Sequence, residues 1–387
     1  MLNLHLVIFP DGQTLTLDAD ELQEALVKGE ILKEGFDNAY VVHDQIKNSK
    51  WSNVDFLNEI SKKLMLEHEL GDIPNFETFI RIEPLNKGWS TDKKYIVETA
   101  SGEKRLLRVA EITEHDRKKN EFEMMQRVVD LGIPMSEPIE FGTCDNGEKA
   151  YQLLSWVEGE DAETALPLLP EAEQYVLGIK AGQMLKKIQT LSTFPPSPEW
   201  GNACKEKHRR YIRNYENCGM TFENDDILIR YIEEHQHLLE NRPMCFSHDD
   251  YHLGNLILDS NNELSVIDFQ RFRKVDPYHA MNGLIFSAKT SPYFATGQVH
   301  GYFEGEPPFD FWDTLKLHMA ALAVNFLPWS IPFGQKDIDF AYQQIADVLS
   351  WYSNMQNAVP SWYLKDFYIQ WTDGILYKLK EAFDFHF

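Results

Sequence analysis

The sequence predicts an α+β fold with two lobes, the first rich in β-strands and the second mostly helical. Between residues 76 and 157, five segments alternate apolar and polar side chains as strands do, and one helical pattern follows the third segment. From residue 170 onward the apolar spacing is that of helices. A polar loop and a hairpin interrupt these helices at residues 245–277. This layout predicts a ligand cleft between the lobes.

The chain of 387 residues is long enough for two or three domains with hydrophobic cores. Its hydrophobic content of 43% is typical of a globular protein rather than a disordered one. We expect three parts: a small α/β extension over residues 1–75, the β-rich lobe over residues 76–157 and the helical lobe over residues 158–387.

The extension begins with a predicted β-hairpin. Residues 2–9 and 14–17 alternate in polarity on either side of a Pro-Asp-Gly turn. Asp18 or Asp20 is a suitable N-cap for a helix that runs to Glu30, and a second helix is predicted over residues 53–68. We find no pattern with recognisable chemistry here, so the role of the extension is left open.

The β-rich lobe contains a loop and two charged residues of interest. A Gly/Ser/Thr loop over residues 86–94 joins the first two strands, and such a loop can direct backbone N–H groups at phosphates. Arg108 lies within the apolar run of the third strand, and Glu121 lies at the margin of the apolar face of the following helix, residues 113–131. A buried carboxylate needs a partner, which makes Arg108 a candidate. The strands are predicted over residues 78–85, 95–99, 105–110, 138–143 and 149–156.

The helical lobe is predicted from its apolar periodicity and from the positions of proline. Residues 195–198, Pro-Pro-Ser-Pro, are interpreted as a rigid loop. The helices are predicted over residues 171–190, 205–217, 225–240, 278–288, 310–327, 336–357 and 361–383.

Two polar motifs lie at the centre of residues 245–277. The first is His248-x-Asp250 followed, after four residues, by Asn255, and the second is Asp268 at the end of an apolar run and before Phe269. The residues between them read as strand, turn and strand. A hairpin of this size would bring Asp250, Asn255 and Asp268 to one end of one small structure.

This combination of side chains suits phosphoryl transfer. One carboxylate, Asp250, would accept the proton of an attacking hydroxyl, while Asn255 and Asp268 would hold Mg²⁺ on nucleotide phosphates. A polar turn ahead of a hairpin is the simpler interpretation. However, the full order of the two motifs around a hairpin is typical of the catalytic and metal-binding loops of kinases.

With these motifs and lobes, the sequence resembles the aminoglycoside phosphotransferase and choline kinase family, a small-molecule branch of the protein-kinase-like fold. The resemblance extends from about residue 76 to the last helices. It implies that His248 orients the catalytic loop, that Asp250 is the catalytic base, and that Asn255 and Asp268 are the Mg²⁺ ligands. It also implies ATP or GTP as the phosphate donor.

The resemblance assigns nucleotide contacts in the β-rich lobe as well. Glu121 would pair with the cation of the third strand, Arg108, with Lys104 as the alternative. Gly88 and Ser90 would belong to the loop that covers the phosphates. Ser155 and Val157 fall at the hinge, where backbone groups would meet the base.

Three positions depart from the family pattern. Arg108 stands where protein kinases have lysine, and the two cations differ in geometry. Ala280 replaces an acidic residue, so the catalytic loop must be anchored differently. Gln270 replaces the glycine after the metal-binding Asp-Phe pair, which favours a fixed loop. Asp249, at a variable position of the family, is assigned no chemistry.

Two further residues have expected roles outside the catalytic set. Asp276 is expected to be structural, and Arg271 is expected to contact phosphate or a neighbouring carboxylate. The four cysteines have no C-x-x-C pair and are interpreted as reduced cytosolic thiols rather than a disulfide framework or a zinc site. We therefore expect a cytoplasmic protein.

The formal net charge of −24 argues against nucleic acid or an anionic membrane as a partner. No apolar run approaches the roughly 20 residues of a membrane span, and the N-terminal residues lack the features of a signal peptide. The charge favours a small cationic substrate, for which candidate acids are Glu158, Glu160, Asp161, Glu304, Glu306 and Asp310. The oligomeric state is left open.

The leading hypothesis is therefore an ATP- or GTP-dependent kinase that phosphorylates a hydroxyl of a small, cationic molecule such as an aminoglycoside-type antibiotic. One alternative is a metabolic kinase for choline, a sugar or an amino acid. Another is a nucleotide-binding scaffold without turnover, which would not need Asp250. A metal site formed by His248 and His252 is a further alternative, but their spacing on a loop does not favour it.

Overall fold

The computed structural model describes residues 5–8, 13–48, 54–86, 91–365 and 367. The extension starts with an antiparallel hairpin of β1 (His5–Ile8) and β2 (Thr14–Leu17), as predicted. Three helices follow, α1 (Ala19–Val27), α2 (Lys33–Lys47) and α3 (Val54–Leu70). Helix α2 was not predicted. Of its residues only His43 is buried, so the helix has no apolar face packed in a core.

A five-stranded antiparallel sheet forms the β-rich lobe and confirms the predicted fold class. The strand order is β3-β4-β5-β7-β6, and helix α4 (His115–Val129) follows the third strand of the lobe. Every neighbouring pair in this sheet is antiparallel. The strands are β3 (Phe79–Pro84), β4 (Lys93–Thr99), β5 (Lys104–Glu111), β6 (Pro138–Cys144) and β7 (Lys149–Ser155).

The second lobe is mostly helical, as predicted. Its helices are α5 (Ala162–Ala165), α6 (Glu171–Gln189), α7 (Pro198–Glu216), α8 (Asp225–Glu234), α9 (Leu284–Thr290), α10 (Pro292–Phe303), α11 (Phe309–Ser330) and α12 (Gln335–Trp351).

Short strands position the polar loop within this lobe. Strand β10 (Met244–His248) pairs antiparallel with β9 (Thr193–Phe194) and β13 (Phe272–Val275). Strands β11 (Leu256–Leu258) and β12 (Leu264–Val266) form the predicted hairpin, and β11 also pairs with β8 (Glu160–Asp161) beside the hinge.

Several helices of the second lobe differ from the prediction. Helices α8 and α12 each end six residues early, at Glu234 and Trp351, α9 begins six residues late, at Leu284, and α5 was not predicted. Helix α7 begins at Pro198, seven residues early, because Ser197 caps it: the Ser197 Oγ accepts from the Trp200 N–H at 3.2 Å, and proline suits the first helical position. Helix α10 was not predicted, because nine of its residues are buried and it shows no polar face. The helix predicted over residues 361–383 lies mostly outside the described residues.

Two apolar cores hold the molecule together. One lies between the five-stranded sheet and the end of α3, where Leu70 and Ile73 pack with Val97, Leu107 and other sheet residues. The larger core fills the helical lobe and includes the apolar face of α4. Helix α4 therefore belongs to the first lobe in sequence and packs with the core of the second. Among the described residues, no helix is long and apolar enough to cross a membrane.

Candidate active site

His248 anchors the polar loop at the end of strand β10. Its side chain is fully buried, and its Nε2–H donates to the carbonyl of Ile267 at 2.9 Å. The Nδ1 atom accepts from the backbone N–H of Asp250 at 3.4 Å. Both imidazole nitrogens are therefore used inside the protein, which argues against a metal site formed by His248 and His252.

Asn255 joins the two motifs. Its Nδ2 donates to the Asp250 carbonyl at 2.8 Å, and its own carbonyl accepts from the Ile267 N–H at 3.0 Å. The predicted hairpin thus brings Asp250, Asn255 and the residue before Asp268 into one hydrogen-bonded unit. The bond to Asp250 uses the amide nitrogen of Asn255, so the amide oxygen is left for another ligand.

The side chain of Asp250 remains accessible at 30% exposure. Its Oδ1 accepts from Arg271 Nη1 at 3.1 Å, so Arg271 contacts a neighbouring carboxylate, one of its two predicted partners. His252 Nε2 lies 3.9 Å from the same oxygen. Because His252 Nδ1 accepts from the Gly254 N–H at 3.0 Å, the imidazole proton lies on Nε2, and burial lowers the pKa of His252. Asp250 is thus held by Arg271, with the neutral His252 imidazole nearby, while it stays open to a substrate.

Asp268 has a backbone conformation that few residues adopt. Its φ of 61° and ψ of 65° are in the left-handed region, where aspartate is tolerated better than most side chains. Burial raises the pKa of Asp268, but the charges of Arg108 and Lys94 and a hydrogen bond from the Gln270 backbone outweigh burial, so the net shift is downward. Asp268 is therefore a carboxylate. Together with the Asn255 amide oxygen it offers the oxygen donors that Mg²⁺ prefers, so these residues fit the ion.

Arg108 and Glu121 lie together, as predicted from the sequence. Arg108 Nη1 is 3.7 Å from Glu121 Oε1 and 3.4 Å from Asp268 Oδ1, and the Arg108 and Glu121 side chains are 3% and 4% exposed. Lys104, the alternative cation, is half-exposed and pairs with Glu158 at 3.2 Å. Arg108 is thus the cation of the third strand that faces the catalytic loop.

Two residues of this ionic cluster were missed by the sequence reasoning. Lys118 is 2% exposed, and its Nζ donates to Asp92 Oδ2 at 2.5 Å. Arg108 Nη2 donates to the same oxygen at 2.8 Å. Lys118 precedes Glu121 by three residues, so the two side chains lie on the same side of helix α4. This spacing could have indicated Lys118, but the lysine lies within a run of charged residues that is typical of an exposed helix face.

Asp249 anchors the catalytic loop. A different anchor was expected, because Ala280 stands where the family has an acidic residue. Its Oδ1 accepts from His279 Nδ1 at 2.7 Å, and its Oδ2 accepts from Arg273 Nε at 2.8 Å. Burial raises the pKa of Asp249, but His279 and Arg273 more than compensate and hold it well below its ordinary value. Asp276, predicted to be structural, is fully buried and pairs with Arg242 at 2.7 Å.

The remaining predicted nucleotide contacts are in the first lobe and at its edge. The Ser155 N–H donates to the Glu137 carbonyl at 2.8 Å, and the Ser155 carbonyl accepts from Ser136 Oγ at 2.7 Å. The backbone of Ser155 thus has partners within the protein, and Val157 is half-buried two residues further on. Gly88 and Ser90 lie outside the described residues.

One cysteine has ligand-type neighbours that the sequence did not indicate. Cys204, His208 and His318 are buried, and their potential ligand atoms lie within 4.8 Å of one another. Gln236 Nε2 donates to the Ile232 carbonyl at 2.6 Å and faces His208 Nδ1 at 3.2 Å. Because Nδ1 of His208 accepts this contact, the imidazole proton lies on Nε2, which is 3.7 Å from the Cys204 sulfur. A metal bound between the two residues would need this nitrogen without its proton. We therefore interpret Cys204 and His208 as a hydrogen-bonded pair.

The sheet, the helical lobe and the loop between them define a two-lobed kinase-like phosphotransferase. A family model described as the phosphotransferase enzyme family matches residues 81–312, more than half of the chain, and the chain belongs to this family. The resemblance found in the sequence is thereby confirmed. A sequence search of curated proteins finds no match.

Solved structures share the fold at low sequence identity. A choline/ethanolamine kinase family protein from Mesorhizobium loti has a TM-score of 0.55 at 12% identity, covering 77% of this chain and 97% of that one. The GDP complex of aminoglycoside 2′-phosphotransferase IIIa has a TM-score of 0.54 at 13% identity, covering 75% and 98%. An amicoumacin kinase in complex with AMP-PNP and Ca²⁺ has a TM-score of 0.50 at 13% identity, covering 78% and 95%. These similarities show the fold of the chain.

Proposed function

We propose that this phosphotransferase moves the γ-phosphate of ATP or GTP to a hydroxyl group of a small molecule. The observation that carries the proposal is the single hydrogen-bonded unit formed by His248, Asp250 and Asn255, which lies beside Asp268 and the Arg108 cation. An accessible carboxylate next to a set of oxygen donors and a buried cation suits in-line transfer of a phosphoryl group. The solved structures of related kinases in complex with GDP and with AMP-PNP support a nucleotide as the donor.

In the proposed mechanism, Asp250 accepts a hydrogen bond from the acceptor hydroxyl and takes its proton as the new bond to phosphorus forms. Arg271 holds the Asp250 carboxylate in place by a hydrogen bond at 3.1 Å. Asn255 and Asp268 would hold Mg²⁺, which supplies positive charge to the phosphate oxygens when bound. Arg108, whose own side chain is buried, adds a fixed positive charge next to Asp268.

The acceptor is proposed to be small and cationic, since the net charge of −24 attracts cations. The candidate acids do not narrow this choice: four of them pair with basic side chains of the chain itself. The pairs are Glu158 with Lys104, Glu304 with Lys186, Glu306 with Lys365 and Asp310 with Arg242. A metabolic acceptor such as choline, a sugar or an amino-acid hydroxyl is the second candidate, favoured by the choline/ethanolamine kinase family neighbour.

A transfer assay tests this proposal. Wild-type protein is incubated with ATP or GTP and Mg²⁺ and a panel of aminoglycosides, macrolides, choline and sugars, and the phosphorylated acceptor is measured. We expect Mg²⁺-dependent transfer to at least one acceptor and none by Asp250→Ala. Nucleotide binding without transfer to any acceptor, unchanged in Asp250→Ala, would instead favour a nucleotide-binding scaffold.

A further inference from the structure

The carboxylate of Asp92 is bound by three different elements of the fold. Its Oδ2 accepts from Arg108 Nη2 on β5 at 2.8 Å, from Lys118 Nζ on α4 at 2.5 Å and from Gln270 Nε2 after β12 at 3.1 Å. The side chains of Asp92, Arg108 and Lys118 are each at most 3% exposed. One buried oxygen thus takes donors from both lobes.

The same three hydrogen-bond donors also suit a phosphate oxygen. A guanidinium, an ammonium and an amide N–H offer charge-assisted hydrogen bonds that a phosphate accepts as readily as a carboxylate. The subsite is beside the proposed metal ligands, because Arg108 Nη1 is 3.4 Å from Asp268 Oδ1. The phosphates of a nucleotide held at Asp268 would therefore be within reach of the same donors.

We infer that Arg108, Lys118 and Gln270 form a binding subsite for a nucleotide phosphate, and that Asp92 occupies this subsite while no nucleotide is bound. The inference rests on the proposed function, because it takes the nucleotide as the ligand of the site. It assigns a phosphate contact to Lys118, and it makes Asp92 an internal competitor of the nucleotide.

The charges of the cluster support an exchange of Asp92 for phosphate. Entry of a phosphate next to the Asp92 carboxylate would place two anions on the same donors, which is unfavourable in a buried site. Glu121 would still neutralise the cations after Asp92 leaves, since its oxygens lie 3.7 Å from both Arg108 Nη1 and Lys118 Nζ. Both Glu121 oxygens are buried and have no hydrogen-bond partner among the described residues, so they can accept closer contacts.

Binding measurements on variants of Asp92 test the inference. The dissociation constants of Mg-ATP, ADP and adenosine are measured by calorimetry for wild type, Asp92→Ala and Asp92→Asn. We expect Asp92→Ala to bind Mg-ATP about tenfold more tightly, because the competing carboxylate is gone. Asp92→Asn, which loses the charge and keeps the size, should show a smaller gain. Adenosine should bind all three proteins equally.

A matched pair of lysine variants tests the other half of the inference. Lys118→Met removes the buried ammonium with little change in volume, and we expect about tenfold weaker Mg-ATP binding with unchanged adenosine binding. Lys119→Met is the control, since Lys119 is 55% exposed on the same helix. Asp116→Ala, at a position that is 96% exposed, is the control for the Asp92 variants. Both controls should bind Mg-ATP as wild type does.

The melting temperature without nucleotide shows whether each variant is folded. Asp92→Ala should melt at a lower temperature than wild type, because two buried cations lose a partner. Its melting temperature should rise more than that of wild type when Mg-ATP is added. Unchanged Mg-ATP affinity in Asp92→Ala, or an equal gain for adenosine, overturns the inference while the proposed function stands. Tighter Mg-ATP binding without any phosphate transfer by wild type overturns the proposed function and supports the subsite. Absence of nucleotide binding by every variant overturns both.

Discussion

Asp249 and Asp250 are adjacent in sequence and have opposite surroundings. The Asp249 side chain is 1% exposed and is held by Arg273 and His279, whereas the Asp250 side chain is 30% exposed and faces Arg271. A buried, doubly paired carboxylate fixes the loop, and an accessible one can meet a substrate. The second aspartate of the pair is therefore the proposed base, and the first is its support.

Replacing Asp249 with asparagine should destabilise the fold. Asp249→Asn leaves the His279 and Arg273 groups without their carboxylate, and we expect a loss of about 3 kcal/mol in the free energy of unfolding. Urea denaturation at neutral pH measures this loss. Asp116→Asn, at an exposed position, serves as the control and should stay within about 0.5 kcal/mol of wild type. A wild-type free energy of unfolding for Asp249→Asn would contradict the anchoring role.

The sequence predicts the positions of some of these residues but not of others. The spacing of His248, Asp250 and Asn255 predicts their proximity, because all three lie on one short loop. Asp249 meets partners that are 24 and 30 residues away, and no local pattern marks such contacts. Asp92 likewise meets Gln270 across 178 residues. Contacts of this kind depend on how the lobes pack, which residue spacing does not record.

At the scale of elements, helices α6 and α10 are in unusually close contact. A Cβ atom added to Gly178 or Gly182 on α6 would lie 2.1 Å from a backbone carbonyl oxygen of α10. The reverse holds for Gly297 and Gly301 on α10, which would clash with carbonyl oxygens of α6 at the same distance. Glycine at these four positions allows the two backbones to touch.

Alanine at Gly178 should therefore disrupt this contact. Gly178→Ala would place its methyl group against the Phe294 carbonyl, and because a backbone cannot yield as a side chain can, we expect a loss of about 3 kcal/mol in stability. Gly35→Ala on helix α2 is the matched control: its Cβ would meet no atom within 4 Å, and it should stabilise the protein slightly. Equal melting temperatures for the two variants would contradict the close packing.

The same contact explains why α10 escaped prediction. Its buried glycines and lack of a polar face remove the periodicity by which a surface helix is recognised. The strands of the five-stranded sheet were predicted to within one or two residues. Strand β4 alternates between buried and less buried side chains, whereas β5 and β7 are short, mostly buried runs. A helix with a polar face is therefore easier to predict from sequence than a fully buried helix such as α10.

At the scale of the whole molecule, two lobes and an extension share their cores. Besides the contact of α3 with the sheet core, the Asp72 carboxylate accepts from the backbone N–H groups of Asp145 and Asn146 at 3.1 and 2.9 Å. The boundary that we propose at residue 75 therefore separates sequence patterns rather than independent bodies. We expect the extension to contribute to the stability of the first lobe.

Buried histidines should make the stability of the molecule depend on pH. Burial lowers the pKa of His208 to about 3 and that of His300 to about 4, and it also lowers the pKa values of His318 and His252. The unfolded chain binds protons at these histidines near pH 6.5, whereas the folded chain does not. The free energy of unfolding should therefore fall as the pH drops from 7 to 5, by at most about 1.4 kcal/mol per pH unit for each histidine.

Urea denaturation at several pH values measures this dependence. His208→Gln should reduce the slope, because it removes one of the titrating groups. His68→Gln, at a position that is 77% exposed, should leave the slope as it is in wild type. A stability that is constant between pH 7 and pH 5 would contradict the account of the buried histidines.

The turnover number of Asp250→Asn tests the central claim most directly. It is measured beside the dissociation constant of Mg-ATP, with the acceptor found in the transfer assay and with Asp249→Asn for comparison. We expect Asp250→Asn to lose about 10²- to 10⁴-fold in kcat with near wild-type nucleotide binding and stability, whereas Asp249→Asn, which loosens the support of the loop, loses stability and a smaller part of its kcat. Turnover by Asp250→Asn at the wild-type rate would contradict the assignment of Asp250 as the base of a phosphotransferase.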